Sequence, residues 1–286
     1  MAQQLFVHIG THKTGTTSIQ AILYRFGSKL RRAGTTVPKT GCPNIRLAGH
    51  HNIGWLLRGD PRANPKWGSL QDLAAELRTI RTPRAVISSE DLEYLAGHPD
   101  QLRAFEAAIR GAGWEPTYIL FLREPGSYAI SLYHELLKSG LATSFEAFVE
   151  ELLRDSRFQM LGDWTYYLDY GAFLRQWRSV ATGGMVIRSY DRAKAGAGVI
   201  ETFLECIGVP PDLAGLHDGA VRAGPFERLL QRLGWRRRYV EGPNPAQLNI
   251  SGAELTPQMR ALAAPISEKY GPIHEQIVAE PVIAAA

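Results

Sequence analysis

Short apolar runs alternate with helical patterns over the first two thirds of the chain. Runs of the length and composition of buried strands occur at 5–9, 84–92, 117–122 and 183–188. Apolar residues at spacings of three and four, or helix start and stop signals, predict helices at 18–32, 69–80, 101–110, 127–138, 166–177 and 199–207, with one more opened by a capping box at Thr143 and Glu146. This alternation predicts an α/β fold with a parallel β-sheet flanked by helices on both faces.

Between the first two strands, residues 34–65 are rich in glycine and proline. This composition predicts a long loop with one short helix. The loop contains His50, His51 and Trp55, which are polar and aromatic groups suited to an acceptor site. A surface loop whose histidines are hydrogen-bonded structurally is an equally good interpretation. Because no repeat or low-complexity linker interrupts the chain, we expect one domain over 1–286, with a sheet core of about 5–208 and a C-terminal region of about 209–286.

The charge balance and the cysteine count narrow the classes of function. Of 286 residues, 32 are basic and 28 acidic, for a net charge of +4. This mild surplus suits an anionic ligand and is too small to indicate a nucleic-acid-binding protein. Two cysteines form no disulfide framework, which favours a reducing, cytoplasmic location. No run of 18 apolar residues predicts a membrane span, and the oligomeric state is left open.

The first strand leads into a loop that is typical of anion sites. Gly10 and Gly15 have the spacing of the glycines in a phosphate-binding P-loop, after which that pattern requires lysine and then serine or threonine. Thr16 and Thr17 occupy those two places, and a lysine occurs earlier, at Lys13. Loop N–H groups and the positive end of the following helix would still converge on an anion. The order of strand, loop and helix therefore predicts a P-loop-like site for an anhydride other than a nucleoside triphosphate.

Lys13-Thr-Gly-Thr-Thr17 resembles the 5′-phosphosulfate loop of sulfotransferases, enzymes whose donor is 3′-phosphoadenosine 5′-phosphosulfate (PAPS), with His12 where proline is common. Arg123 and Ser131, eight residues apart after the third strand, resemble the element with which the family binds the 3′-phosphate. A guanidinium suits that phosphate because it offers paired donors. Tyr190 lies in a segment similar to one that the family places near the adenine.

This resemblance implies a sulfotransferase fold and a role for each matching residue. Lys13 would stabilise the leaving phosphate of PAPS, and adenosine 3′,5′-bisphosphate (PAP) would be the product. The 5′-phosphate would be held by Thr14, Gly15, Thr16, Thr17 and Ser18. No metal is expected, since the departing phosphate gains a single charge and the sequence shows no Cys/His ligand cluster.

An acceptor hydroxyl also needs a general base. Many carbohydrate members of the family use a glutamate, and Glu90, at the end of the second strand, is the candidate here. His51, and after it His50, is the rival base, since small-molecule members use a histidine. The expected acceptor is a hydroxyl of a carbohydrate or glycolipid. No nucleic-acid partner and no membrane span are expected.

Two other functions and one basic segment remain open. A P-loop kinase using ATP is one alternative, against which the threonine at position 16 argues. A non-catalytic nucleotide or polyanion binder on the same fold is the other. Six arginines between Arg222 and Arg238 form either a solvated helix face or a contact for an anionic saccharide or the 3′-phosphate. A late Arg-Lys-Gly segment found in many family members is absent, and Leu248-Asn-Ile-Ser251 is one candidate for its role.

Overall fold

The computed structural model describes residues 3–43, 48–160, 164–210, 255–280 and 282–283. The chain divides into two compact units. The first contains the described residues up to Leu122, those from Phe173 to 210, and those from Ile277 onward. The second contains the described residues of Arg123–Ala172 and residues 255–276. The single domain expected from the sequence stays a prediction, and the Arg222–Arg238 cluster and the Leu248–Ser251 segment lie outside the described residues.

Strands and helices are numbered in chain order over the described part of the chain. The strands are β1 (Gln3–His8), β2 (Thr35–Thr36), β3 (Arg84–Ser88), β4 (Trp114–Leu122), β5 (Arg157–Met160), β6 (Trp164–Tyr167), β7 (Gly184–Ser189) and β8 (Val282–Ile283). The α-helices are α1 (Thr16–Arg32), α2 (His51–Arg58), α3 (Leu70–Thr79), α4 (Pro99–Gly111), α5 (Pro125–Lys138), α6 (Phe145–Asp155), α7 (Tyr170–Arg178), α8 (Tyr190–Ala195), α9 (Val199–Cys206) and α10 (Leu255–Ala279). Two 3₁₀ helices span Pro65–Trp67 and Glu90–Gly97.

The first unit is built on a mostly parallel sheet in the order β2-β3-β1-β4-β7-β8. The first five of these strands are parallel, and β8 joins the edge beside β7 in the antiparallel direction. The central strand β1 is buried on both faces, which explains its continuous apolar sequence. The predicted α/β fold with a parallel sheet is confirmed.

Helices cover both faces of this sheet. On one face, Phe6 and Ile119 belong to a buried cluster that includes residues of α1 and α9. On the other face, Tyr118 of β4 donates its hydroxyl proton to Glu106 of α4 at 2.8 Å. Because neighbouring side chains of a strand point to opposite faces, Tyr118 and Ile119 mark the two sides of β4. Because β1 and β3 are parallel neighbours, their carboxyl ends lie at the same edge of the sheet, where a parallel sheet binds its ligands.

Glu106 ties α4 to the segment before β7. Besides the hydroxyl of Tyr118, its carboxylate accepts the N–H of Thr182 at 3.0 Å and the Thr182 hydroxyl at 2.5 Å. Arg110 donates to the same carboxylate at 3.2 Å. Burial would raise the pKa of Glu106, but these donors stabilise the ionised form and lower the pKa below 4.5.

Two local predictions are wrong, both in the second unit. The helix predicted over 166–177 begins only at Tyr170, as α7, because residues 164–167 form β6, which pairs with β5 in the antiparallel direction. Threonine, tyrosine and tryptophan favour a strand when a partner strand is present. The capping box at Thr143 is also absent, because Ser144 caps α6 and accepts the N–H of Ala147 at 3.3 Å. The predicted short helix within 34–65 is confirmed as α2.

None of the described helices combines the length and the apolar character needed to cross a lipid bilayer.

Candidate active site

The loop after β1 has a left-handed backbone at three positions. The φ angles are +29° at Gly10, +67° at Lys13 and +82° at Gly15. Glycine adopts this region freely, but at Lys13 it costs roughly 1–2 kcal/mol of backbone strain, which is characteristic of functional loops. Gly15 is the N-cap of α1 and has no side chain to cap it, and the first turn of α1 contains no acidic residue. The positive end of α1 is therefore suited to an external anion.

Threonine hydroxyls hold this loop in shape. Thr11 donates its hydroxyl proton to the carbonyl of Phe121, at the end of β4, at 3.0 Å. Thr14 donates to the carbonyl of Thr11 at 2.6 Å, and its side chain is buried. Because the Thr14 proton is used inside the loop, we expect Thr14 to contact an anion through its main-chain N–H. Thr16 is buried at the start of α1, whereas Thr17 is exposed.

Gly15 is closely packed by Tyr190, which directly follows β7, and by Val199, the first residue of α9. A Cβ at Gly15 would lie 3.3 Å from Cγ1 of Val199 and 3.4 Å from Cε2 of Tyr190. Tyr190, predicted near the adenine, thus lies against the loop in the first unit. Its contact with adenine stays a prediction.

A polar cluster follows β3 at the same edge of the sheet. Ser89 extends the sheet by donating its N–H to the carbonyl of His8 at 3.0 Å, and its hydroxyl accepts the N–H of Asp91 at 3.2 Å. That hydroxyl caps the 3₁₀ helix at Glu90–Gly97. The cap places three carboxylates, those of Glu90, Asp91 and Glu93, in one turn beside the loop after β1.

Glu90 is held by a residue of α1. Gln20 donates from Nε2 to Glu90 Oε2 at 2.6 Å, and the side chain of Glu90 remains 20% exposed. His51 Nδ1 lies 4.0 Å from the same carboxylate oxygen. The predicted base and its rival are therefore brought together, and the carboxylate keeps access to solvent.

His51 is bound to Asp91. Its Nδ1 lies 2.6 Å from Asp91 Oδ2 and 3.2 Å from the hydroxyl oxygen of Ser89. Its ring stacks on Trp55 of α2, with ring centroids 5.6 Å apart and planes inclined by 18°. Stacking and hydrogen bonding together fix the orientation of the imidazole.

The charge states of this pair follow from its surroundings. Burial would lower the pKa of His51, but the hydrogen bond to Asp91 and the charges of Glu90 and Asp91 outweigh burial and raise the pKa above 6.5. Burial would raise the pKa of Asp91, whereas the hydrogen bond and charge of His51 lower it below 3.8. Both shifts favour the charged pair, with His51 as an imidazolium and Asp91 as a carboxylate.

His50, the third candidate for the base, is bonded to the backbone through both ring nitrogens. Nδ1 accepts the N–H of Ser88 at 3.1 Å, and Nε2 lies 3.0 Å from the carbonyl oxygen of Pro38. Burial lowers the pKa of His50 to about 4, so the ring is neutral. His50 fastens the loop before α2 to β3.

The sequence patterns did not single out Arg62, which also borders the cluster. Its guanidinium pairs with Asp60 through two contacts of 2.9 and 2.7 Å, lies 3.6 Å from Asp91 Oδ1, and covers the ring of Trp55 at 4.7 Å. Gln20 was missed as well, although a glutamine between Ile19 and Ile22 on the apolar face of a helix is a signal that could have identified it. For Arg62 the sequence offers no comparable signal.

His12 and Glu93 form a further contact between the loop and the 3₁₀ helix. His12 donates its main-chain N–H to Glu93 Oε2 at 3.3 Å, and its Nδ1 lies 2.9 Å from the same oxygen. The Glu93 side chain is 1% exposed. Burial would lower the pKa of His12, but the hydrogen bond and charge of Glu93, with the charges of Glu90 and Asp91, raise it above 6.5.

Arg123 and Ser131 belong to the second unit. Arg123 directly follows β4, and its carbonyl accepts the hydroxyl proton of Tyr170 at 2.9 Å. Glu124 caps α5 by accepting the N–H groups of Gly126 at 2.9 Å and Ser127 at 2.7 Å. Ser131 lies half-buried on α5. Binding of a 3′-phosphate by Arg123 and Ser131 stays a prediction.

No protein-family model and no curated protein sequence matches this chain. Among solved structures, a sulfotransferase from Alicyclobacillus acidocaldarius is similar at 15% identity, over 81% of this chain and 92% of its own, with a TM-score of 0.44. The sulfotransferase domain from the Synechococcus PCC 7002 olefin synthase is similar at 12% identity, over 94% of both chains, with a TM-score of 0.39. Likenesses of this size assign neither a family nor an activity.

Proposed function

We propose that this protein is a PAPS-dependent sulfotransferase that transfers a sulfuryl group to a hydroxyl, with a carbohydrate or glycolipid as the expected acceptor. The observation that carries the proposal is the loop after β1. Lys13, in a left-handed conformation, lies between two glycines at the uncapped positive end of α1. The carboxylate of Glu90 is held beside that helix by Gln20. An anion site next to an accessible carboxylate suits transfer of an anionic group to a hydroxyl.

Different residues of the loop would bind different groups of the donor. The main-chain N–H groups of residues 14–18 would bind the 5′-phosphate, with hydroxyls of the first turn of α1 as further donors. Lys13 would stabilise the charge that develops on the oxygen bridging phosphorus and sulfur. Arg123 and Ser131 are proposed for the 3′-phosphate on the sequence resemblance.

Glu90 is the better of the two candidate bases. A general base must reach the acceptor hydroxyl: the side chain of Glu90 is 20% exposed, whereas that of His51 is 8% exposed and has its Nδ1 bonded to Asp91. Glu90 would accept the proton of the acceptor hydroxyl while the hydroxyl oxygen forms the new bond to sulfur. The bond between sulfur and the bridging oxygen breaks, and Lys13 stabilises the leaving bisphosphate. The charged His51–Asp91 pair would fix the wall of the acceptor site.

The alternatives differ in the ligand that they require. A P-loop kinase would prefer ATP with Mg²⁺, but Thr16 occupies the place of the lysine that reaches the terminal phosphates. A non-catalytic binder would bind PAP without turnover. The expectation that no metal takes part stays a prediction.

Calorimetry with PAP tests the donor. We expect micromolar binding by the wild type and a loss of roughly 10–100-fold in Arg123→Ala and Lys13→Ala, since hydrogen bonds to charged groups contribute about 1.5–3 kcal/mol. Arg103→Ala is a matched control, because Arg103 lies on α4 with a side chain that is 61% exposed. Preference for ATP with Mg²⁺ over PAP would refute the proposal.

Turnover tests the base. With PAPS labelled in the sulfuryl group and a panel of saccharides and glycolipids, Glu90→Gln is expected to lose about 10²–10⁴-fold in rate and to keep its PAP affinity. Full activity of Glu90→Gln together with an inactive His51→Gln would transfer the role to His51. PAP binding without transfer to any acceptor hydroxyl in the wild type would favour the non-catalytic alternative.

A further inference from the structure

The carboxylate of Glu93 is buried next to the loop after β1, on which the proposed anion site is built. Its side chain is 1% exposed, and one oxygen, Oε2, receives both contacts from His12. The other oxygen, Oε1, is buried and has no hydrogen-bond partner among the described residues. A carboxylate in this environment is costly unless a cation accompanies it.

The position of Glu93 also creates a problem for ligand binding. Its oxygen is bonded to the N–H of His12, the residue before Lys13. An uncompensated negative charge at this position would repel any phosphate-type anion held by the loop, since charges interact strongly where water is excluded. A compensating cation is therefore needed for the loop to bind anions well.

We propose that His12 is a charge-compensating residue of the anion site: as an imidazolium bonded to Glu93, it cancels the carboxylate charge behind the loop and so permits binding of a phosphate-type anion. The contact through both the backbone and the ring of His12 means that the same pair holds the loop against the 3₁₀ helix. This proposal rests on the proposed function only in assuming that the loop binds such an anion.

Other charged groups face His12 and must be considered in a test of its titration. Glu90 and Asp91, on the same 3₁₀ helix as Glu93, also raise the pKa of His12 above 6.5. Lys13 adjoins His12 in the loop. His51 and Arg62 lie on the far side of Asp91, and His51 titrates with a raised pKa of its own. Because His51 is common to every variant below, differences between variants report on His12.

A double-mutant cycle separates charge compensation from a purely structural role. PAP binding is measured by calorimetry for the wild type, His12→Gln, Glu93→Gln and the double variant, with the exposed His134→Gln as control for the type of substitution. His12→Gln leaves the carboxylate uncompensated, so affinity should fall on the order of 10-fold at pH 7. Adding Glu93→Gln should restore affinity to within about threefold of the wild type, because both charges are then absent.

The pH dependence gives a second readout. Wild-type affinity should fall as the pH rises through the raised pKa of His12, where Glu93 loses its cation. The double variant should lack this part of the fall, while any contribution of His51 remains in both proteins. NMR of ¹⁵N-labelled histidine, assigned by comparison with His12→Gln, should show a protonated His12 ring at pH 7 in the wild type and a neutral one in Glu93→Gln.

The outcomes are distinguishable from a failure of the proposed function. Unchanged affinity in His12→Gln, or a double variant no better than His12→Gln, overturns the inference while PAP binding by the wild type stands. A neutral His12 in the wild type overturns it too, and this measurement needs no ligand. Binding of ATP with Mg²⁺ instead of PAP would refute the sulfotransferase, and the same cycle run with ATP would still decide the role of His12.

Discussion

The left-handed backbone at Gly15 can be tested by comparing two glycines of the same helix. Gly15 caps the start of α1 with φ of +82°, whereas Gly27 lies inside α1, next to a kink at Phe26, without a left-handed φ. A Cβ placed on Gly27 would meet no atom within 4 Å outside its chain neighbours and the backbone of α1. Replacement of each by alanine adds the same methyl group to the same element. The conformations alone predict effects of opposite sign.

The expected magnitudes follow from the backbone and from the space around each Cβ. At Gly15 an L-residue costs about 1–2 kcal/mol in the left-handed region. The new Cβ would also lie only 3.3 Å from Val199, a tighter contact than most. At Gly27 alanine gains about 0.5–1 kcal/mol, because glycine is a poor helix former. The free energies of unfolding of the two variants should therefore differ by roughly 1.5–3 kcal/mol.

Urea unfolding followed by tryptophan fluorescence measures this difference. Trp114 and Trp177 are fully buried in the first unit, so their emission reports the unit that contains α1. The midpoint should shift down for Gly15→Ala and up for Gly27→Ala, at an unchanged dependence on urea. Affinity for PAP should fall only in Gly15→Ala, because its loop N–H groups are displaced. Equal shifts in the same direction would refute a left-handed requirement at Gly15.

Two further predictions concern stability. Glu106→Gln should lower the free energy of unfolding by about 1–3 kcal/mol at pH 7; because the folded pKa of Glu106 lies below 4.5, this advantage of the wild type should be complete above that value and shrink as the pH falls through the folded pKa. An equal difference in urea unfolding at pH 7 and pH 3 would contradict this account. Ser144→Ala should cost about 1 kcal/mol through loss of the α6 cap, while Thr143→Ala should stay within about 0.5 kcal/mol. If Thr143→Ala were instead the more destabilising variant in urea unfolding, the capping box at Thr143 expected from the sequence would be correct.

Features encoded by neighbouring residues could be predicted from the sequence. The strand β1, the glycines of the loop and the start of α1 lie within one stretch, so their order and spacing suffice to place an anion site. Parallel strands follow from buried apolar runs separated by helices. The hairpin of β5 and β6 could not be predicted in this way, since each strand has four residues and depends on the other for its hydrogen bonds.

The partners of the candidate base could not be predicted from the sequence. Glu90 could be located at the end of a strand, but Gln20, which holds it, is 70 residues away in sequence. His51 and Asp91 are 40 residues apart, and no spacing rule joins them. Contacts between such residues depend on how α1 and α2 pack beside the 3₁₀ helix. The sequence could therefore offer Glu90 and His51 as rivals without indicating that they lie together.

Because Glu90 and His51 lie together, the choice between them as the general base depends on their hydrogen-bond partners and on their exposure. Two histidines, His12 and His51, lie beside three carboxylates: Glu90 and Asp91 raise the pKa of both rings, and Glu93 raises that of His12 as well. These shifts favour the cationic form of each ring, which has no lone pair with which to accept a proton. Asp91 and Glu93 are each hydrogen-bonded to one of these histidines, whereas Glu90 is hydrogen-bonded to the amide of Gln20, lies 4.0 Å from His51 Nδ1 and stays partly exposed. An acceptor hydroxyl could thus reach Glu90 without displacing a hydrogen bond from histidine, and this access favours Glu90 as the group to which the hydroxyl would lose its proton.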